Sequence, residues 1–202
     1  MDNNKKFWDK VASLYTKLQE KGNKQLYADA CSYIENYLSK NMIALELACG
    51  TGQFSIPLHE CVKYYLASDF SEKMIEELNS ISKHEDLITK VIDCTAIDLP
   101  DESFDVVIIA NALHVMPQPE KAMQEIYRVL KPGGLLIAPT FIYEGKINKF
   151  KLWFLEKVGF KTFTKWTSST FKQFAKDNNF HVIDTKILPG KLAPECILIA
   201  NK

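Results

Sequence analysis

The segment 45–54, LELACGTGQF, sets a carboxylate, Glu46, just ahead of three small residues at alternating positions, Ala48, Gly50 and Gly52. Glycine lets a ligand approach the backbone and permits dihedrals that side chains resist. An acid beside such a bend suits a ligand that carries positive charge. Asp69 stands 17 positions after Gly52, near the spacing of about 20 at which an acid grips ribose hydroxyls in nucleotide-binding folds. Asp93 and Asn111 follow two later apolar runs. If the runs are parallel strands, all four polar tips meet at one edge, and the ligand there contains a nucleoside.

The charges narrow the choice of nucleoside. Read from Gly50 the chain gives GTGQFS, with Ser55 where a dinucleotide fingerprint wants its third Gly or Ala. Glu46 would repel a pyrophosphate. S-adenosylmethionine, a nucleoside bearing an ammonium and a sulfonium, fits better, and a helix N-terminus can still face its carboxylate.

The elements that must position these residues follow from periodicity. Apolar positions at helical spacing predict two helices, over 7–18 and 25–38, joined near Gly22. MIALELA (42–48) is a short apolar run of the kind buried on both faces of a parallel sheet. A helix is expected from about Gln53, a strand over 64–70, and a helix capped by Ser71 with Met74, Ile75 and Leu78 inward. LITKVID (87–93) and FDVVIIANAL (104–113) read as further strands. Pro119 opens the next helix, which KPGG (131–134) ends with Arg128 and Lys131 in its last turn, and LLIAPTF (135–141) is the fifth strand. Only PGKLA separates FHVIDTKIL (180–188) from PECILIANK (194–202), too few residues for a crossover helix, so these two pair antiparallel. The expected fold is α/β: a Rossmann-like, doubly wound, mostly parallel seven-stranded sheet with an antiparallel C-terminal strand, N-terminal helices and a helical cap. It forms one domain over 1–202, with cap helices in 1–40, a cofactor-binding core in 41–141, a variable cap in 142–179 and a C-terminal hairpin in 180–202.

Composition bounds the function classes. The formal net charge is zero, which disfavours a nucleic-acid binder relying on counterion release. No apolar run approaches the roughly 20 residues that span a bilayer, and MDNNKKFWDK has no apolar signal segment. A cytoplasmic location is expected. Five scattered cysteines without a C-x-x-C pair read as reduced thiols. His59, His84, His114 and His181 show no zinc-ligand spacing, and HEC (59–61) puts neighbours on different helix faces, so no metal is expected.

Together these segments resemble the class I S-adenosylmethionine-dependent methyltransferases of the small-molecule type. ELACGTG (46–52) is similar to that family's acid-x-Gly-x-Gly-x-Gly loop, departing at Ala48, where the first Gly would be. ASDFSEKMI (67–75) resembles the ribose-binding segment, DCTAIDLPDESFDVVIIANALHVM (93–116) the adenine-binding segment, and IYRVLKPGGLLIAPT (126–140) the helix-turn-strand beyond it. The resemblance implies methyl transfer to a small-molecule acceptor, by a monomer or homodimer that binds no nucleic acid. It places Gly50 and Gly52 under the methionyl and ribose groups and Glu46 at the methionyl end. It assigns Asp69 to the ribose hydroxyls, Phe70 or Met74 to the adenine face, Asp93 and the Cys94 backbone to the adenine amino group, and Asn111 to the region below the sulfonium. Cys94 is not expected to be a reactive thiol, because its neighbour is an acid.

His114 is the best-placed candidate for a catalytic base. Tyr15 and Tyr27 from the N-terminal helices and Tyr143 after the fifth strand are substrate-side candidates. Segment 144–176 holds eight lysines against two acids, with an apolar stripe at Phe150, Trp153, Phe154 and Val158. A cap over the acceptor pocket accounts for both features. The rivals are an NAD-type oxidoreductase and an S-adenosylmethionine-binding protein without catalysis.

Overall fold

The structure is a computed structural model that describes residues 2–84, 86–145, 147–148, 157 and 161–202, without the side chains of 2–6 and 13–22. The described chain forms α1 (Asp2–Ile34), β1 (Ile43–Leu47), α2 (Ser55–Leu58), β2 (Tyr64–Asp69), α3 (Glu72–Ile81), β3 (Ile88–Val91) and β4 (Phe104–Ile109). It continues through α4 (Pro119–Val129), β5 (Leu130–Phe141), α5 (Ser168–Asp177), β6 (His181–Leu188) and β7 (Glu195–Asn201). The described strands build one seven-stranded sheet, ordered β3-β2-β1-β4-β5-β7-β6. β1 pairs in parallel with both β2 and β4, and β7 runs antiparallel to both β5 and β6. The expected fold class is therefore what the chain adopts.

Three local expectations change. Gly22 does not divide two helices: α1 is continuous, and a short 3-10 turn at Glu35–Tyr37 follows it. One glycine in a helix interior costs only about 1 kcal/mol relative to alanine, less than the burial of an apolar stripe returns. The helix after the glycine loop is a single turn, Ser55–Leu58, extended by 3-10 residues His59–Cys61. β5 begins at Leu130, so Lys131 belongs to the strand, with a register shift opposite Phe104–Val106. Of segment 142–179, expected as a cap, α5 is described and packs on the sheet, whereas the stripe at Phe150, Trp153, Phe154 and Val158 lies outside the described residues.

Two apolar layers hold the sheet. One face packs Leu45, Leu47, Val107 and Ile109 against Met123 and Ile126 of α4 and Phe171 of α5. The other packs Ala44, Val106, Ile197 and Ile199 against Ala30 and Ile34 of α1, Leu58 of α2 and Leu78 of α3. β1 alternates between these faces and is covered on both, which explains its unbroken apolar run. The edge strand β3 leaves Ile88 and Val91 exposed.

Candidate active site

Strand order reverses between β1 and β4: the chain moves out to β2 and β3, then returns to the other side of β1. In open α/β sheets the loops at such a switch point part and leave a crevice beyond the strand ends. A crevice lies there, floored by Glu46, Ala48, Gly50, Ala110 and Asn111. Tyr27 of α1 and Phe54 also line it, packed edge to face with centroids 5.4 Å apart.

Both loops at the floor use left-handed backbone. Ala48 (φ 53), Gly50 (φ 56) and Gly52 (φ 90) turn the chain after β1, and Asn111 (φ 53) turns it after β4. The turn is pinned to its neighbour: Cys49 N–H donates to the Ser68 carbonyl at 2.9 Å, and Gly50 N–H donates to Asp69 Oδ2 at 2.9 Å. Asp69 Oδ1 also accepts from Ser71 N–H at 2.9 Å. Burial raises the Asp69 carboxyl to about 6, against the pull of these backbone bonds, and the Asp9 charge adds to the rise. Ser71 caps α3 through its Oγ, accepting from Met74 N–H at 3.2 Å, and donates to Asp9 of α1 at 2.5 Å. α1 is thereby tied down beside the tip of β2.

Glu46 is buried, and Ser55 Oγ and the Tyr65 hydroxyl (2.9 Å) both donate to its Oε2. Burial outweighs these bonds and lifts its carboxyl to about 7. Ser55, in the sequence a mismatch to a dinucleotide fingerprint, thus has a positive role as a partner of the acid. Phe70 is half-buried, and Met74 is 2% exposed in the base of α3. Asp93 Oδ1 accepts from Thr95 N–H at 2.9 Å and Thr95 Oγ1 at 2.7 Å, an Asx turn that shapes the loop after β3. Arg128 of α4 fixes the rest of that loop by donating to the carbonyls of Ile97 (2.7 Å) and Leu99 (2.9 Å). Burial and the charges of Asp93 and Asp69 push the Cys94 thiol up to about 12.

The acceptor-side candidates separate. Tyr27 reaches the crevice. The Tyr15 side chain lies outside the described set. Tyr143 is half-buried, donates from its hydroxyl to Thr162 at 3.0 Å and carries Lys165 over its ring at 5.4 Å. His114 is buried, its Nδ1 lies 3.0 Å from Thr140 Oγ1, and burial lowers it to about 4, so it is neutral near pH 7. Its carbonyl accepts from Phe163 N–H (2.9 Å) and Thr164 N–H (3.2 Å), anchoring that segment.

Sequence reasoning missed Tyr65, Asp9 and Glu195. Glu195 opens β7, whose antiparallel direction brings its first residue to the crevice end of the sheet, opposite Phe141 of β5. It is fully buried, accepts from Asn111 Nδ2 at 2.6 Å and is raised by burial to about 7. Its Oε2 and Asn111 Oδ1 are buried without partners among the described residues. The available signal was a lone acid heading an otherwise apolar strand, ECILIA.

A nucleoside cation fits this floor. Glu46 is the acid that lines it, and two further buried acids, Asp69 and Glu195, bond to the lining residues Gly50 and Asn111, surroundings that favour N–H donors and positive charge over phosphate. Residues 45–138 match the methyltransferase-domain family. The chain is 35% identical over 139 residues to a demethylmenaquinone methyltransferase of Clavibacter sepedonicus, covering 66% of this chain and 56% of that one. It is 30% identical over 163 residues to the same enzyme of Staphylococcus epidermidis, covering 76% and 66%. An uncharacterised chloroplastic methyltransferase of Arabidopsis thaliana is 32% identical over 136 residues, 63% of this chain and 38% of that one. The chain thus spans between about a third and two thirds of the length of these curated relatives. Among solved structures, an S-adenosylmethionine-dependent methyltransferase of Thermotoga maritima superimposes with a TM-score of 0.76 at 21% identity, covering 96% and 98%. Magnesium protoporphyrin IX methyltransferase of Synechocystis, with bound S-adenosylhomocysteine, gives 0.68 at 19%, covering 92% and 86%. Family match, relatives, fold and the acid-flanked glycine turn agree, and the chain belongs to the class I S-adenosylmethionine-dependent methyltransferases.

Proposed function

We propose that this chain transfers the methyl group of S-adenosylmethionine to a small-molecule acceptor by in-line displacement. The observation that carries this reading is the switch-point crevice, where a left-handed Ala48–Gly52 turn is bonded to Asp69 and lies beside the buried acid Glu46. When bound, S-adenosylmethionine supplies a methyl carbon made electrophilic by its sulfonium. Gly50 and Gly52 give the methionyl and ribose groups a backbone surface, and Glu46 favours the ammonium. Asp69 has lone pairs left for ribose hydroxyls after its two backbone bonds. Phe70, backed by Met74, borders the adenine, and Asp93 with the Cys94 backbone faces its amino group. Asn111 would line the methionyl side, below the sulfonium.

With the cofactor over β1–β3, the acceptor approaches over β4, β5 and β7. Glu195 stands under that half. With Asn111 it offers an uncompensated hydrogen-bond acceptor to an acceptor hydroxyl or amine. Tyr27 closes over the crevice and excludes water, and holding two reactants in line supplies much of such a rate. The free state of the described cysteines supports a reducing, cytoplasmic setting. No described helix is long and apolar enough to cross a membrane.

S-adenosylhomocysteine should raise the melting temperature, because it binds the folded state alone. Stabilisation by NAD and not by S-adenosylhomocysteine would overturn the reading. A transfer screen using labelled cofactor should follow across quinone-type, phenolic, amine, thiol and metalloid acceptors. Demethylmenaquinone, named for the bacterial relatives, leads that panel. Binding without transfer to any member would favour a cofactor-binding protein without turnover.

A further inference from the structure

A second constellation lies at the opposite end of the sheet. His59 closes the turn after α2, ahead of β2, while His84 and Asp86 sit between α3 and β3. They flank the amino ends of these strands, away from the crevice. One ligand atom from each of the three residues lies within 4.8 Å of the others. His59 Nε2 is 3.8 Å from Asp86 Oδ1, and the two imidazoles meet edge to face with centroids 4.3 Å apart.

The His59 ring is set up as a ligand. It is 5% exposed, and its Nδ1 lies 2.8 Å from the Ile56 carbonyl. A carbonyl can only accept, so Nδ1 carries the proton and Nε2 keeps its lone pair. That Nε2 is buried and has no hydrogen-bond partner among the described residues. Buried polar atoms almost always find partners, and an imidazole bonded to a carbonyl through its far nitrogen is the usual arrangement around a bound metal. Asp86 is 77% exposed and His84 36%, so both can move the short way inward. Glu60 Oε1, 3.9 Å from His84 Nδ1, stands beside the open position.

We propose that His59, His84 and Asp86 form a site for a divalent late transition ion, zinc foremost, which ties the turn after α2 to the α3–β3 connection. Two imidazoles and a carboxylate suit zinc at bond lengths of about 2.0–2.2 Å, with water or Glu60 completing a tetrahedron. Magnesium, which demands an octahedron of oxygens, does not fit. The site serves stability and stands apart from methyl transfer.

The test is calorimetric titration of the purified chain with zinc chloride under reducing conditions. Cobalt(II) absorption then reads the geometry. The expected result is one equivalent bound with a raised melting temperature, no response to magnesium and unchanged S-adenosylhomocysteine affinity. His84→Ala and Asp86→Asn, both at exposed positions, should each weaken zinc by at least about 10-fold while keeping the fold by circular dichroism. Cys61→Ser should leave binding intact, which separates this site from a half-exposed thiol close by. No binding at 100-micromolar zinc, affinity unchanged in both ligand variants, or affinity lost with Cys61→Ser would overturn the proposal.

Discussion

The two halves of the sheet are assembled in different ways. On the β1–β3 side, the hydrogen bonds that pin the glycine turn join one strand to the next. Gly50 bonds Asp69 across 19 positions, and Ser68 Oγ bonds the Glu46 carbonyl across 22. On the β4–β7 side the partners come from distant segments. Asn111 meets Glu195 across 84 positions, His114 holds residues 163 and 164, and Asn148 N–H donates to the Leu192 carbonyl at 2.8 Å. The first half is a chain of local motifs that any nucleoside-binding fold can reuse. The second takes shape only when the C-terminal hairpin folds back, so it is free to differ between proteins that share a cofactor and not an acceptor.

Asp69→Ala should strike the first half hardest. It removes the carboxylate that satisfies two N–H groups, those of half-buried Gly50 and buried Ser71. Each stranded donor costs about 1–3 kcal/mol. Stability should fall by about 2–6 kcal/mol in urea titrations, and S-adenosylhomocysteine affinity by about 10–100-fold in calorimetry. A folded Asp69→Ala chain that binds the cofactor product as before would remove this residue from the site.

Glu195→Gln probes the other half and should have the opposite signature. A buried carboxylate with one open oxygen destabilises the fold it sits in. The neutral variant should gain about 1–3 kcal/mol at pH 8, given a carboxyl held near 7 instead of its ordinary 4.5. S-adenosylhomocysteine should bind within about twofold of the parent, because Glu195 lies beyond the cofactor strands, while turnover on the screened acceptor falls. Gain of stability with loss of turnover is the trade expected of a strained functional group. Equal loss of both would make Glu195 a structural residue.

This asymmetry also decided what could be read from the sequence. Glu46, the glycines, Asp69 and Asn111 were legible because strand periodicity and a fixed offset from the glycine loop place them without knowledge of strand order. The antiparallel end was legible from the five-residue PGKLA connection. Glu195 was not, because its role depends on β7 inserting beside β5 and not at the sheet edge. Tyr65 and Ser55 were hidden for a related reason: which face of the sheet Glu46 uses decides whether they reach it. The continuity of α1 through Gly22 was a plain case of packing overriding a local breaker signal.

Both halves carry raised acids, so pH should act on them together. Unfolded, Glu46, Asp69 and Glu195 titrate near 4.5, 3.8 and 4.5; folded, burial moves them to about 7, 6 and 7. Between about pH 4 and 7 the folded chain holds more protons than the unfolded one. The stability these groups contribute is therefore full below the lower values and lost as pH rises through the upper ones. His114 opposes them: lowered by burial from 6.5 to about 4, it contributes above about 6.5 and loses as pH falls. Three groups against one should lower the melting temperature of the ligand-free chain from pH 5 to pH 8. A bound cation favours the ionised acids, so S-adenosylmethionine should bind more tightly across the same rise and release protons, seen as buffer-dependent heats. Glu195→Gln should flatten the stability slope and leave the binding slope in place, which separates the two halves again.

The smallest effect belongs to the residue where the chain departs from its family's pattern. Ala48 sits at φ 53 on the crevice floor. In left-handed backbone an L side chain crowds the next carbonyl, at a cost of roughly 1–2 kcal/mol. Ala48→Gly removes that crowding. It also loosens the unfolded chain, which returns a few tenths to 1 kcal/mol of the gain. The net should be a stabilisation of at most about 1 kcal/mol in urea titrations, with cofactor affinity slightly improved, because the turn that receives the ligand is then unstrained. A loss of stability would mean that the Ala48 methyl packs usefully against the core layer that holds Leu45 and Leu47, and that the departure from glycine is an adaptation of this floor. Either sign is informative about the cofactor half, since Asn111, the left-handed residue across the crevice, is of a type that tolerates the same backbone at little cost.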